Sequence, residues 1–190
     1  MKTTYLFVML CFFLTFSNAQ EESTEIVKNY IENFNKKDSI ATLNSLHKRF
    51  EELWQNSVIN ESKKEYAKQF TWSRVMNEYE EIEIISATPK SVVVNSVYFS
   101  DLDRSLGKMP YKCKKKFIIS KGKIIKIISL KNKGYDLYQS KRKRAYVSFK
   151  NWLYKKHRLR RNSFKMNHKD AKKMKSIVYQ YMSQNEIVER

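Results

Sequence analysis

The groups in this chain that can move protons or bind ions are few and widely spaced. His47 is the only histidine before the basic C-terminal part, and Asp38 directly precedes an apolar-periodic stretch. Either side chain could serve as a general base. Each also has a structural reading: His47 as a surface or satisfied core histidine, Asp38 as a helix N-cap. Glu81 and Glu83 open a strand pattern, and Asp101 and Asp103 fall in a connecting segment, so no acid–base pair emerges from spacing alone. Cys113 lies in an alternating stretch with no His or Asp nearby in sequence, which favours a buried structural thiol over a nucleophile. His47, His157 and His168 are too far apart for metal-ligand spacing. No metal and no cofactor are expected.

The second chemical feature is charge. The 190 residues hold 38 Lys and Arg against 19 Asp and Glu, a net of +19. Residues 20–100 carry 10 basic and 13 acidic side chains, whereas residues 101–190 carry 27 and 6. Lys155-Lys156-His157-Arg158-Leu159-Arg160-Arg161 concentrates that excess. Lys155, Lys156, Arg158, Arg160 and Arg161 are therefore the candidate anion-binding residues, toward lipopolysaccharide phosphate or an anionic membrane. The alternative is a solvated outer face of docked helices, or structural pairing with Glu78, Glu80, Glu81 or Glu83. Nucleic acid is the weakest partner if the chain is exported.

Export is the expectation from the first residues. Met1-Lys2 gives a positive start, Tyr5 to Phe16 an apolar run, and Ser17-Asn18-Ala19 small residues at cleavage subsites. Residues 1–19 read as a signal peptide, with Gln20 as the new N-terminus and a periplasmic or secreted product. About 20 apolar residues are needed to span a bilayer, and this run is shorter. Without Cys11 only Cys113 remains, so no intramolecular disulfide can form. Asn60-Glu61-Ser62 is a glycosylation tripeptide of a kind that arises by chance.

The elements that must position these groups follow from periodicity. Ser23 is read as the N-cap of a first helix with Ile26, Val27, Tyr30, Ile31 and Phe34 on one face. Asp38 caps a short second helix, and a third runs from about Ser62 to Asn77 with Trp72, Val75, Met76 and Tyr79 in one stripe. Phe50 to Ile59 fits a helix end or a short strand. From Glu81 the period becomes two, predicting strands over Glu81–Ile85, Val92–Phe99, Tyr111–Ile119 and Lys123–Leu130. Tight connections at Thr88-Pro89-Lys90 and Lys121-Gly122 predict antiparallel pairing. After a boundary near Gly134, Lys141–Lys156 reads as an amphipathic helix, and Asn167 with Asp170 opens another. A fragment ending at Gly134 is expected to fold without this tail. The class is α+β.

In their order these elements resemble SnoaL-like domains of the nuclear transport factor 2-like superfamily. The resemblance rests on the Asn35-Lys36-Lys37-Asp38 helix end and the Tyr66…Phe70-x-Trp72…Met76 helix. It also rests on the Val92-Val93-Val94 strand, the Ser100-Asp101-Leu102…Leu106-Gly107…Pro110 connection and the Gly122-Lys123-Ile124 hairpin. It covers about Glu22 to Lys131, giving a domain over 20–134 and a basic helical extension over 135–190 of a kind found in exported bacterial members. It implies a cone-shaped fold, N-terminal helices on a curved antiparallel sheet, around a pocket for a small apolar molecule. Tyr30, Trp72, Met76, Tyr98, Tyr111 and Lys115 are the candidates to line that pocket. The resemblance also leaves open a homodimer and an isomerase, dehydratase or cyclase activity using His47 or Asp38.

Overall fold

A computed structural model of the chain describes residues 2–108 and 110–186, with side chains for all of these except 2–18, 161, 185 and 186. Helix α1 spans Lys2–Asn35 and α2 Ser39–Asn44. Strands β1 (Leu46–Trp54) and β2 (Ser57–Asn60) precede α3 (Lys63–Val75), and β3 (Tyr79–Thr88) and β4 (Ser91–Phe99) follow it. The short α4 (Asp101–Ser105) leads to β5 (Tyr111–Ser120) and β6 (Lys123–Leu130). The tail forms α5 (Tyr135–His157), a 3-10 turn at Arg161–Ser163 and α6 (His168–Glu186). The fold is α+β, with one six-stranded sheet in the order β2-β1-β6-β5-β4-β3.

Two compact units divide the chain, residues 1–63, 82–96 and 114–130 in one and 64–81, 97–113 and 131–190 in the other. In the first, Val27, Tyr30, Ile31 and Phe34 of α1 are buried, as are Leu46 and Phe50 of β1. Val92, Val94, Phe117, Ile124 and Ile127 complete that core from the strands. The chain leaves α1 through Lys37 at φ 62°, and Asp38 N–H donates to Asn33 O at 3.0 Å. That left-handed residue and the six-residue loop it closes are a Schellman stop. Asp38 then caps α2, its carboxylate accepting from Ala41 N–H at 2.9 Å. Lys121 and Gly122, both at positive φ (52° and 68°), form the expected two-residue turn between β5 and β6.

Three expectations change here. Ser23 does not start α1 but lies inside it, buried, with its hydroxyl donating to Thr88 O at 2.8 Å. No Gly or Pro separates it from the preceding apolar run, so nothing stops the helix there. The ambiguous stretch from Phe50 is a hairpin, and β1 lies parallel to β6 with Glu51 opposite Lys126 and Trp54 opposite Ser129. The sheet is therefore mixed, because tight turns reveal only pairings between neighbours in sequence. Asn60, in the glycosylation tripeptide, is 5% exposed and donates to Glu52 at 2.6 Å, which closes it to modification.

The second unit holds the tail. Phe149 and Leu153 of α5, Phe164, and Ala171, Met174, Ile177 and Val178 of α6 form one buried cluster with Trp72, Met76 and Leu106. The expected tail helices are present, but the sequence boundary near Gly134 does not divide their core from that of α3 and α4. A core of this kind is invisible to charge counting, because the apolar stripe that binds the tail is interleaved with its lysines.

Candidate functional site

A cavity of about 520 Å³ lies within the second unit. Trp72 reaches it from the last turn of α3 and Met76 from just after that helix, Tyr146 and Phe149 from α5, and Met174 from α6, with Leu102 and Met166 beside them. Trp72 is oriented by its indole N–H, which donates to Lys165 O at 3.2 Å. Polar groups also line the cavity: Gln69, Glu78, Tyr98, Ser100, Asp103 and Arg142.

Local chain chemistry places each of these. The turn after α3 passes through Asn77, φ 51°, and Glu78 N–H donates back to Ser73 O at 2.9 Å, so the turn delivers Glu78 just before the next strand. Asn tolerates this left-handed conformation better than most residues. Ser100 is the N-cap of α4, its hydroxyl accepting from Asp103 N–H at 3.0 Å and lying 3.2 Å from the Asp103 carboxylate. Arg142 Nε then donates to Asp103 Oδ1 at 2.9 Å. Asp101, two residues earlier, accepts from Lys175 at 2.9 Å and from the Tyr179 hydroxyl at 3.1 Å. The two acids of α4 thus hold one tail helix each.

The electrostatics of the site are mutual. Burial, then the charge and hydrogen bond of Glu78, with Glu80 and Asp103 adding, hold the Tyr98 phenol well above its ordinary value. Burial works against the charge of Arg142, but Asp103 more than compensates and leaves the guanidinium raised. Tyr138 is pushed up to about 12 by burial, then by Asp103. Tyr98 is therefore a neutral donor to a carboxylate, and Arg142 a fixed cation, in a cavity with apolar walls.

Of the six pocket candidates, Trp72, Met76 and Tyr98 line this cavity. Tyr30 is in the core of the first unit, edge-on to Phe117 at 6.0 Å. Tyr111 packs on Tyr135 and Tyr138 at 5.8 and 5.0 Å, and Lys115 sits on β5 opposite Ser129. Asp38 and His47 are not among the lining residues. The His47 imidazole accepts from Arg49 N–H at 3.2 Å, and burial followed by Arg49, Lys48, Lys121 and Lys123 lowers its basicity. Cys113 is buried and in no disulfide among the described residues. Among the described residues, no group of three or more His, Cys, Asp or Glu could hold a metal ion. Glu78, Ser100, Asp103 and Arg142 were not among the residues expected to line a pocket. Only the alternation that puts Tyr98 on the Val92, Val94 and Ser96 face pointed toward them.

In the tail, Lys155, Lys156, Arg158 and Arg160 are exposed, and none forms an ion pair among the described residues. Lys156 lies over Trp152 at 5.5 Å, and Arg158 and Arg160 over Tyr154 at 5.8 and 5.3 Å. The side chain of Arg161 lies outside the described residues. Asp101 and Asp103 pair with the tail helices, through Lys175 and Arg142 respectively.

No family model matches the sequence, and no curated relative does either. Solved structures do match. The epoxide hydrolase/cyclase-like enzyme SalBIII, of pyran ring formation in the polyether salinomycin, superposes with a TM-score of 0.50 at 15% identity. That match covers 60% of this chain and 92% of the enzyme. A nuclear transport factor 2-like protein of unknown function from Cytophaga hutchinsonii matches at 0.48 and 14% identity, over 61% and 94% of the two chains. A computationally designed 17-OHP binder gives 0.48 and 13%, over 59% and 92%. The fold is nuclear transport factor 2-like, with helices added at the C-terminus.

Proposed function

We propose that this is an exported SnoaL-like protein that binds a small molecule in the cavity of its second unit. The observation that carries this reading is the cavity itself: about 520 Å³, walled by Trp72, Met76, Phe149 and Met174, with a few convergent polar groups. Ligand sites commonly enclose about 300–1,000 Å³ with this division of labour. The lining contains Tyr98 and Glu78 in hydrogen-bond contact but neither His47 nor Asp38, so binding is favoured over chemistry at those two residues. Export rests on the Tyr5–Phe16 run and the Ser17-Asn18-Ala19 subsites. The test is thermal stabilisation of the protein by a panel of sterols, polyketides and simple aromatic compounds. Stabilisation that Met166→Trp, at the exposed side of the lining, removes supports the reading; a panel without effect contradicts it.

A second reading concerns the tail. The exposed Lys155, Lys156, Arg158 and Arg160, three of them held over aromatic rings, form a surface for anionic phosphate. Sedimentation with phosphatidylglycerol vesicles that is lost at about 0.5 M salt supports it, since screening shortens to a few ångström there. Equal sedimentation after replacing all four with Gln contradicts it.

A further inference from the structure

We propose that the ligand of this cavity is a single-chain amphiphile, its apolar chain between the cavity walls and its phosphate head at the cations of the segment joining α5 to α6. This rests on the small-molecule reading above and joins it to the surface for anionic phosphate. The joining segment has an inner and an outer side. Inside, Lys165 O accepts the Trp72 indole N–H at 3.2 Å, and Met166 lines the cavity. Outside, Met166 is 42% exposed, so the cavity reaches the surface there. Asp170 fixes this opening, its carboxylate accepting from Lys165 N–H at 2.7 Å and from the Asn167 side-chain amide at 3.1 Å. Asn167 answers by accepting from Asp170 N–H at 2.8 Å. Charge around the opening is almost all of one sign: residues 155–173 carry nine Lys and Arg against Asp170 alone. Lys165, Lys169 and Lys173 are exposed on both sides of Met166 in the chain, and the Lys173 ammonium lies over the Phe164 ring at 5.9 Å. Phe164 belongs to the same buried cluster as Trp72, Phe149 and Met174, so this cation stands at the edge of the apolar wall. The interior offers an anion less. Arg142 is the basic residue of the described lining, and its Nε already donates to Asp103 at 2.9 Å. A phosphate drawn fully inside would lose its water without a cation of its own. At the opening it keeps its water and meets the lysines, while the chain attached to it enters between Trp72, Met76, Phe149 and Met174.

Four probes separate the cases, each titrated calorimetrically into the full chain: octyl phosphate, 1-octanol, inorganic phosphate and octyltrimethylammonium. Octyl phosphate should bind at least about tenfold more tightly than each of the others, the combined effect of a buried chain and a neutralised head. Raising salt to about 0.5 M should remove most of its advantage over octanol, since charges are then screened within a few ångström. Shortening the chain by one methylene, to heptyl phosphate, should weaken binding about threefold to fourfold, as for any methylene leaving an apolar site. Replacing Lys165, Lys169 and Lys173 together with Gln should shrink the advantage over octanol, and the salt series on the unchanged protein serves if that variant does not fold. Octanol binding as tightly as octyl phosphate overturns the amphiphile inference and leaves the cavity reading intact. Inorganic phosphate binding as tightly as octyl phosphate overturns it and leaves the cationic surface intact. Silence of octyl phosphate also overturns it, and the thermal panel and the vesicle sedimentation then judge the two underlying readings separately.

Discussion

Arg142 carries more than its position in a basic tail suggests. Its guanidinium satisfies Asp103, whose carboxylate is only 11% exposed, while Arg142 itself is 40% exposed. A hydrogen bond to a charged group contributes about 1.5–3 kcal/mol, and the exposure of Arg142 reduces this through solvent screening. Arg142→Gln should therefore cost about 1–2 kcal/mol in urea unfolding, and Arg142→Lys somewhat less. Tyr98 gives a pH signature of its own. Its folded-state phenol is raised above the ordinary value near 10, so its contribution is complete below about pH 10. It is lost as pH rises through the folded value, because the unfolded chain releases the proton first. Stability measured between pH 9 and 11.5 should fall less steeply in Tyr98→Phe than in the parent. Some fall should remain from Tyr138, held up to about 12. Neither residue's partner was legible in the sequence: Arg142 and Asp103 are 39 positions apart, and Tyr98 lies on β4 while Glu78 precedes β3. Asp38 was legible as a cap, because an N-cap and the amide it accepts are three residues apart.

Elements read better than contacts. The four strands from Glu81 to Leu130, helix α3 and both tail helices follow the periodicities that announced them, since period 2 and period 3.6 are local properties. The parallel pairing of β1 with β6 is not local, and neither is the packing of α5 and α6 on α3 and α4. That packing argues against a tail-less fragment that folds completely. Phe149 and Leu153 are each 1% exposed, within a cluster that includes Trp72, Met76 and Leu106. Truncation after Gly134 should therefore abolish cooperative thermal unfolding of the second unit's residues, read from the near-ultraviolet signal of Trp72. Phe149→Ala in the complete chain should cost about 3–5 kcal/mol, the usual penalty for deleting a buried ring. A fragment that melts cooperatively with that signal intact would return the tail to the status of an appendage.

At the scale of the molecule, the chain is strongly basic, yet the cavity of its second unit is lined by aromatic rings and two carboxylates, and the basic tail contributes a wall. Composition suggested an anionic partner, and the exposed cations near Tyr154 keep that surface in view. The cavity obeys different rules, because its lining is selected by geometry from α3, β4, α4, α5 and α6 and not by average charge. Methionine methyl groups make the central claim directly measurable. Met76, Met166 and Met174 line the cavity, whereas Met182, near the end of α6, does not. With carbon-13 methyl-labelled methionine, titration of a compound of the sterol and polyketide panel that stabilises the protein should move the Met76, Met166 and Met174 resonances together, with one dissociation constant. The Met182 resonance should stay still. If no compound moves the three, or if Met182 moves while they do not, the cavity is not the binding site.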